Sequence, residues 1–126
     1  MGGCFFVFAP RGYHDINEFV RLARAVTGWN TSLSELLTAA ERVQNVARAF
    51  NLREGLGRAD DTLPQRFFEP LEGGRLQGKS IKREDFEQAL TWYYQLRGWD
   101  PETSLPTRAK LADLEIEWVA DLLGVA

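Results

Sequence analysis

Apolar side chains recur at spacings of three and four residues in several stretches of the chain, the pattern of helices with one buried face. Ile16, Phe19, Val20, Ala23 and Val26 share such a face. Asp15 and Glu18 ahead of it resemble a capping box, Gly28 offers a left-handed stop, and Trp29 is placed to cover the end. Ser32 and Glu35 form the full S-x-x-E signature and predict a second helix over residues 33–52, the longest element. Its predicted core face is Leu36, Leu37, Ala40, Val43, Ala47 and Phe50, and Gly55 marks its stop.

A third helix should begin near Arg83, with Glu84 and Asp85 in the first turn where the helix dipole favours them, and end at Gly98. Phe86, Leu90, Tyr93, Tyr94 and Arg97 lie along it, and the stripe of Phe86, Tyr93 and Trp99 reads as core. The sharper alternative for that stripe is a stacking platform for bases or a flavin. Asp100-Pro101 and Leu105-Pro106 mark turns, Thr107 can cap a helix over residues 108–113, and Leu111, Leu114, Val119, Leu122 and Leu123 carry an apolar face onward. Pro70 with Gly73, Gly74 and Gly78 marks an irregular connection or a small hairpin. The fold class is all-α, a compact bundle of about four to five helices with a long irregular loop. No repeat or linker divides residues 1–126, which read as a single domain.

Between the second and third helices, Arg53, Glu54, Arg58, Asp60, Asp61 and Arg66 crowd both signs of charge before and after Pro64. Guanidinium forks facing carboxylates predict an ion-paired turn, with Asp60 or Asp61 capping a short helix that starts near Pro64. The alternative is a loop built to meet another domain or a cofactor.

Composition narrows the chemistry. A formal net charge of -3 lacks the basic footprint that nucleic-acid binding needs, which also disfavours a helix-turn-helix reading. One cysteine excludes an internal disulfide and a self-contained zinc or redox pair. The apolar run CFFVF at residues 4–8 is a buried strand, a lead-in to a helix or a plug into a neighbouring surface; it is too short to span a membrane, and a cytoplasmic protein is the expectation. His14, the single histidine, stands beside Asp15 before a helix, which favours a surface or capping role over general acid catalysis. Asp60 and Asp61 with Glu54 or Glu69 could bind a hard cation, but the arginines among them favour ion pairs. Neither Gly55-x-Gly57 nor Gly73-Gly74 has the strand-turn-helix setting of a phosphate loop.

The run RAFNLREGLGRADDTLPQRFFEPL at residues 48–71, followed by YYQLRGWD at 93–100, resembles the C-terminal helical domain of the tungsten-containing aldehyde ferredoxin oxidoreductase family. Thr27-Gly28-Trp29 and Glu41-Arg42 extend the likeness. Members are much longer, so the resemblance implies a C-terminal fragment of a larger oxidoreductase, whose remainder would be its partner. It further implies a tungstopterin or molybdopterin and a [4Fe-4S] cluster in the full enzyme, none in the isolated chain, and ferredoxin as electron acceptor. The family pattern close to DxxGLC is matched here by its tail, Gly2-Gly3-Cys4, with Gly3 in the leucine position and the pterin-contacting aspartate not present. The resemblance therefore assigns Cys4 as a cluster ligand and Gly3 as a backbone contact near the pterin. It places glycine where Glu115 stands, so the last two helices are expected to fuse. This domain would wall the cofactor cavity and be inactive alone; exposed apolar surface could then self-associate. The alternative is a standalone helical interaction domain that binds a partner through CFFVF without metal, catalysis or membrane contact.

Overall fold

The computed structural model describes residues 15–125, which form two compact units that divide between Val46 and Ala47. In the first, α1 spans Ile16–Thr27. Its start is set locally: the amides of Asn17 and Glu18 donate to Asp15 Oδ1 at 2.6 and 3.2 Å. Its end is Gly28, at φ 70°, whose amide returns to the Arg24 carbonyl. The expected core face of α1 has no buried residue, and Trp29 leaves 53% of its surface exposed. Amphipathicity fixes which face can be buried; a facing surface has to do the burying.

The second helix, α2, spans Leu33–Arg53. Ser32 and Glu35 complete the predicted box, the Ser32 amide donating to Glu35 Oε2 at 2.7 Å and the Glu35 amide to Ser32 Oγ at 3.2 Å. Its buried side is rotated from the predicted one. Leu36, Asn45, Arg48 and Ala49 are buried, whereas Leu37, Val43, Ala47 and Phe50 are exposed. Arg48 and Ala49 belong to the second unit, and Arg48 turns inward because its partners lie within that unit.

That unit continues through 3-10 turns at Arg58–Asp60 and Gln65–Phe67 to α3, Arg83–Arg97, then α4, Arg108–Asp113, and α5, Trp118–Leu123. Its apolar core is Ala49, Leu111, Leu114, Ile116, Val119 and Ala120, with Leu123 and Val125 packed against it. Leu122, expected on this face, is exposed. Gly98 closes α3 at φ 70°, and a Cβ there would sit 2.9 Å from Lys110 Cγ, so the position favours glycine on two counts. Thr107 caps α4 as predicted, accepting from the Lys110 amide at 3.2 Å, and its hydroxyl donates to the Gly98 carbonyl at 2.9 Å.

The last two helices do not fuse. Glu115 adopts φ 57° and turns the chain between α4 and α5, so this side chain occupies a left-handed position that glycine takes more easily. No strand occurs among the described residues; one antiparallel bridge joins Trp99 to Pro106. The glycine-rich connection is a closed irregular loop, with Leu71 and Gly78-Lys79 exchanging backbone bonds of 2.9 and 3.0 Å. None of the described helices is long and apolar enough to cross a membrane.

Candidate functional site: a buried arginine hub

Arg48 lies in the last turns of α2, one and four residues from Ala49 and Leu52 on the inward side, and only 7% of its side chain meets solvent. A buried guanidinium requires both a countercharge and hydrogen-bond acceptors. The charged loop supplies the countercharge: Nη1 and Nη2 donate to Asp61 Oδ1 and Oδ2 at 3.1 and 2.7 Å, a fork-on-fork pair. Nε donates to the carbonyl of buried Ser104, a residue at φ 60°, at 3.2 Å. Two neighbouring aromatic rings lie against the guanidinium, with the Trp99 and Tyr94 ring centroids 5.1 and 5.7 Å from its central carbon.

Tyr94 completes the arrangement by donating its hydroxyl to Asp61 Oδ2. Arg58 lies over the other part of this cluster, 5.3 Å from the Tyr94 centroid, and its Nη2 donates to Glu87 Oε2 of α3 at 3.0 Å. Arg58 Nη1 is buried and has no hydrogen-bond partner. Burial works against the charged form of Asp61, but the hydrogen bonds from Arg48 and Tyr94 outweigh it and hold the carboxyl below its usual range. Burial, then the bond to Asp61, pushes the Tyr94 hydroxyl above its ordinary value. A carboxylate held charged beside a phenol held protonated offers no group that exchanges protons near neutral pH. The hub positions structure: it ties α2, the charged loop, α3 and the turn before α4 together.

The charged loop is thus an ion-paired turn, as its composition predicts, but its partners differ. Asp60 accepts from the Gly57 amide at 2.8 Å, and nothing caps the turn after Pro64 by side chain, so neither aspartate caps a helix there. Arg53 pairs with Glu54 at 3.0 Å. No three His, Cys, Asp or Glu side chains among the described residues stand together as a metal site. The aromatic stripe is core at Trp99, while Tyr93 is exposed and the deeply buried tyrosine is its neighbour Tyr94. Gly3, Cys4, the CFFVF run and His14 lie outside the described residues. Sequence reading missed Arg48 as the centre; the available signal was its place in one stripe with Asn45, Ala49 and Leu52.

The fold and hub define a helical domain held by a buried ion pair. Residues 1–116 match the family described as aldehyde ferredoxin oxidoreductase, domains 2 and 3, and the chain belongs to that family. It is 37% identical over 117 residues to a tungsten-containing aldehyde ferredoxin oxidoreductase of Pyrococcus furiosus, and 36% over 117 residues to the one of Thermococcus kodakarensis, with 91% of this chain covered each time. An aliphatic sulfonate oxidoreductase, WOR-like subunit, of Pyrococcus furiosus is 34% identical over 119 residues, 90% of this chain. The chain spans 18% of the length of each of these relatives. Among solved structures, the active-site complex BamBC of benzoyl coenzyme A reductase, bound to 1,5-dienoyl-CoA, superposes with a TM-score of 0.70 at 28% identity, covering 87% of this chain and 15% of that one.

Proposed function

We propose that this chain is the C-terminal helical domain, a single domain over residues 1–126, of a cytoplasmic tungsten or molybdenum pterin and iron-sulfur oxidoreductase. The observation that carries the reading is the match of residues 1–116 to domains 2 and 3 of the family, together with relatives named as tungsten enzymes. In this reading the whole enzyme oxidises an aldehyde to a carboxylic acid and passes electrons to ferredoxin. The pterin-bound metal and the cluster supply the redox chemistry; the protein shapes access and environment.

Cys4 is the residue that would hold an iron of the cluster. A thiolate is the right donor for this group, and a [4Fe-4S] cluster takes four of them, so the remaining ligands come from the remainder of the parent enzyme. In this reading the domain walls the cofactor cavity. Gly3 would allow close backbone approach to the pterin.

The experiment is anaerobic purification of the native protein with an antibody to residues 53–65, followed by intact mass and metal analysis. A polypeptide much heavier than 14.3 kDa carrying iron with tungsten or molybdenum is expected. A metal-free species near 14.3 kDa overturns the reading and leaves the standalone interaction domain. In the heavy form, Cys4→Ser should abolish or alter the electron paramagnetic resonance signal of the cluster.

A further inference from the structure

We propose, resting on the larger parent polypeptide read above but not on its redox chemistry, that Val43, Val46, Ala47 and Phe50 of α2 form an interdomain contact. Its occupant is an apolar segment from the part of the parent outside residues 1–126. The four residues follow one another at i, i+3, i+4 and i+7, the spacing that lines side chains along one face of a helix. Val43, Val46 and Phe50 expose 60%, 38% and 55% of their surface, and Ala47 is exposed too. Arg48 and Ala49, buried around the hub, point the other way: at about 100° per residue, their mean direction lies about 160° from that of the stripe. A helix that meets solvent on one side carries polar residues there. On α2 the side opposite the hub instead carries an unbroken apolar stripe, which is why periodicity marks Val43, Ala47 and Phe50 as core.

The stripe has the make-up of an interface, apolar at its centre and polar at its rim. Gln44 and Asn51 border one edge, and Arg53 borders the other, its guanidinium carbon 5.2 Å from the Phe50 ring centroid. Its size selects the occupant. Two partly exposed valines, an alanine and a phenylalanine offer on the order of 300 Å² of apolar surface, well under the roughly 800 Å² that each partner buries in a stable complex of separate molecules. Within one polypeptide a smaller contact suffices, because docking there loses no overall translational freedom. The chain spans 18% of the length of its tungsten-enzyme relatives, so a parent of that kind has ample polypeptide to cover the stripe.

The test uses the full-length parent. Labelling by a diazirine-derived carbene is compared between the native enzyme and the same enzyme unfolded in urea. Val43 and Phe50 should label at about a tenth or less of the unfolded level, as covered side chains do. Labelling near the level that their 60% and 55% exposure sets for a bare stripe overturns the proposal. Photo-crosslinking then identifies the cover, with p-benzoylphenylalanine in place of Phe50 and, separately, of Val43, so that if one variant misfolds the other still reports. The expected product is a cross-link within one polypeptide, to a peptide outside residues 1–126. A cross-link to residues 4–8, or between two copies, overturns the proposal in favour of that occupant. A native polypeptide near 14.3 kDa overturns the parent reading and this inference with it, whereas a heavy parent with a bare stripe overturns this inference alone.

Discussion

Arg48 and Asp61 meet as a two-pronged ion pair, 13 residues apart in the chain, with the guanidinium almost wholly removed from water. Tyr94, 33 residues beyond Asp61, donates to the same carboxylate, and the Ser104 carbonyl, 56 residues from Arg48, takes the remaining edge. Removing one member strands the others. Arg48→Ala is expected to destabilise the chain by about 3 kcal/mol, and Arg48→Lys, which keeps charge but loses the fork, by about 1–2 kcal/mol. Urea denaturation followed by tryptophan fluorescence checks both; a loss for Arg48→Ala no larger than that of an exposed arginine such as Arg21 would remove the hub from this role.

The same pair gives stability a defined pH dependence. Asp61 titrates below its unfolded value, so its contribution is present above about pH 4 and is lost as pH falls through the folded value. Tyr94 titrates above its unfolded value, so its contribution is present below about pH 10 and is lost as pH rises through the folded value. Chemical denaturation across pH should therefore show a plateau with two falling limbs. Asp61→Asn should flatten the acid limb, and Tyr94→Phe the alkaline one.

Gly98 ends α3 with a left-handed backbone and leaves no room for a Cβ against Lys110. Gly98→Ala should cost about 1–3 kcal/mol, the lower end applying if the flexible lysine stem moves aside. The midpoint of thermal unfolding reads it directly. The corresponding change at Gly28, where a Cβ meets nothing within 4 Å, should cost only the backbone share.

Glu115 is the opposite case, a branchless but Cβ-bearing residue where the turn asks for φ 57°. Glu115→Gly is expected to raise stability by up to about 1 kcal/mol, because relief of left-handed strain exceeds the added freedom of the unfolded chain. A lowered denaturation midpoint would mean that the contacts of the Glu115 side chain outweigh that strain.

Much of this architecture was written locally. Asp15, the Ser32-Glu35 box, Thr107, Gly28 and Gly98 set helix ends through bonds that reach no more than a few residues, so sequence alone placed α1 through α4 nearly to the residue. What sequence could not decide was which face of α2 turns inward, that Tyr94 rather than Tyr93 is the buried tyrosine, and that Glu115 breaks a helix its composition would continue. Hydrophobic periodicity assumes that apolar groups are what gets buried. Here a charged side chain is buried because a carboxylate, a carbonyl and two aromatic rings from distant parts of the chain converge on it, and that convergence exists only once the chain has folded.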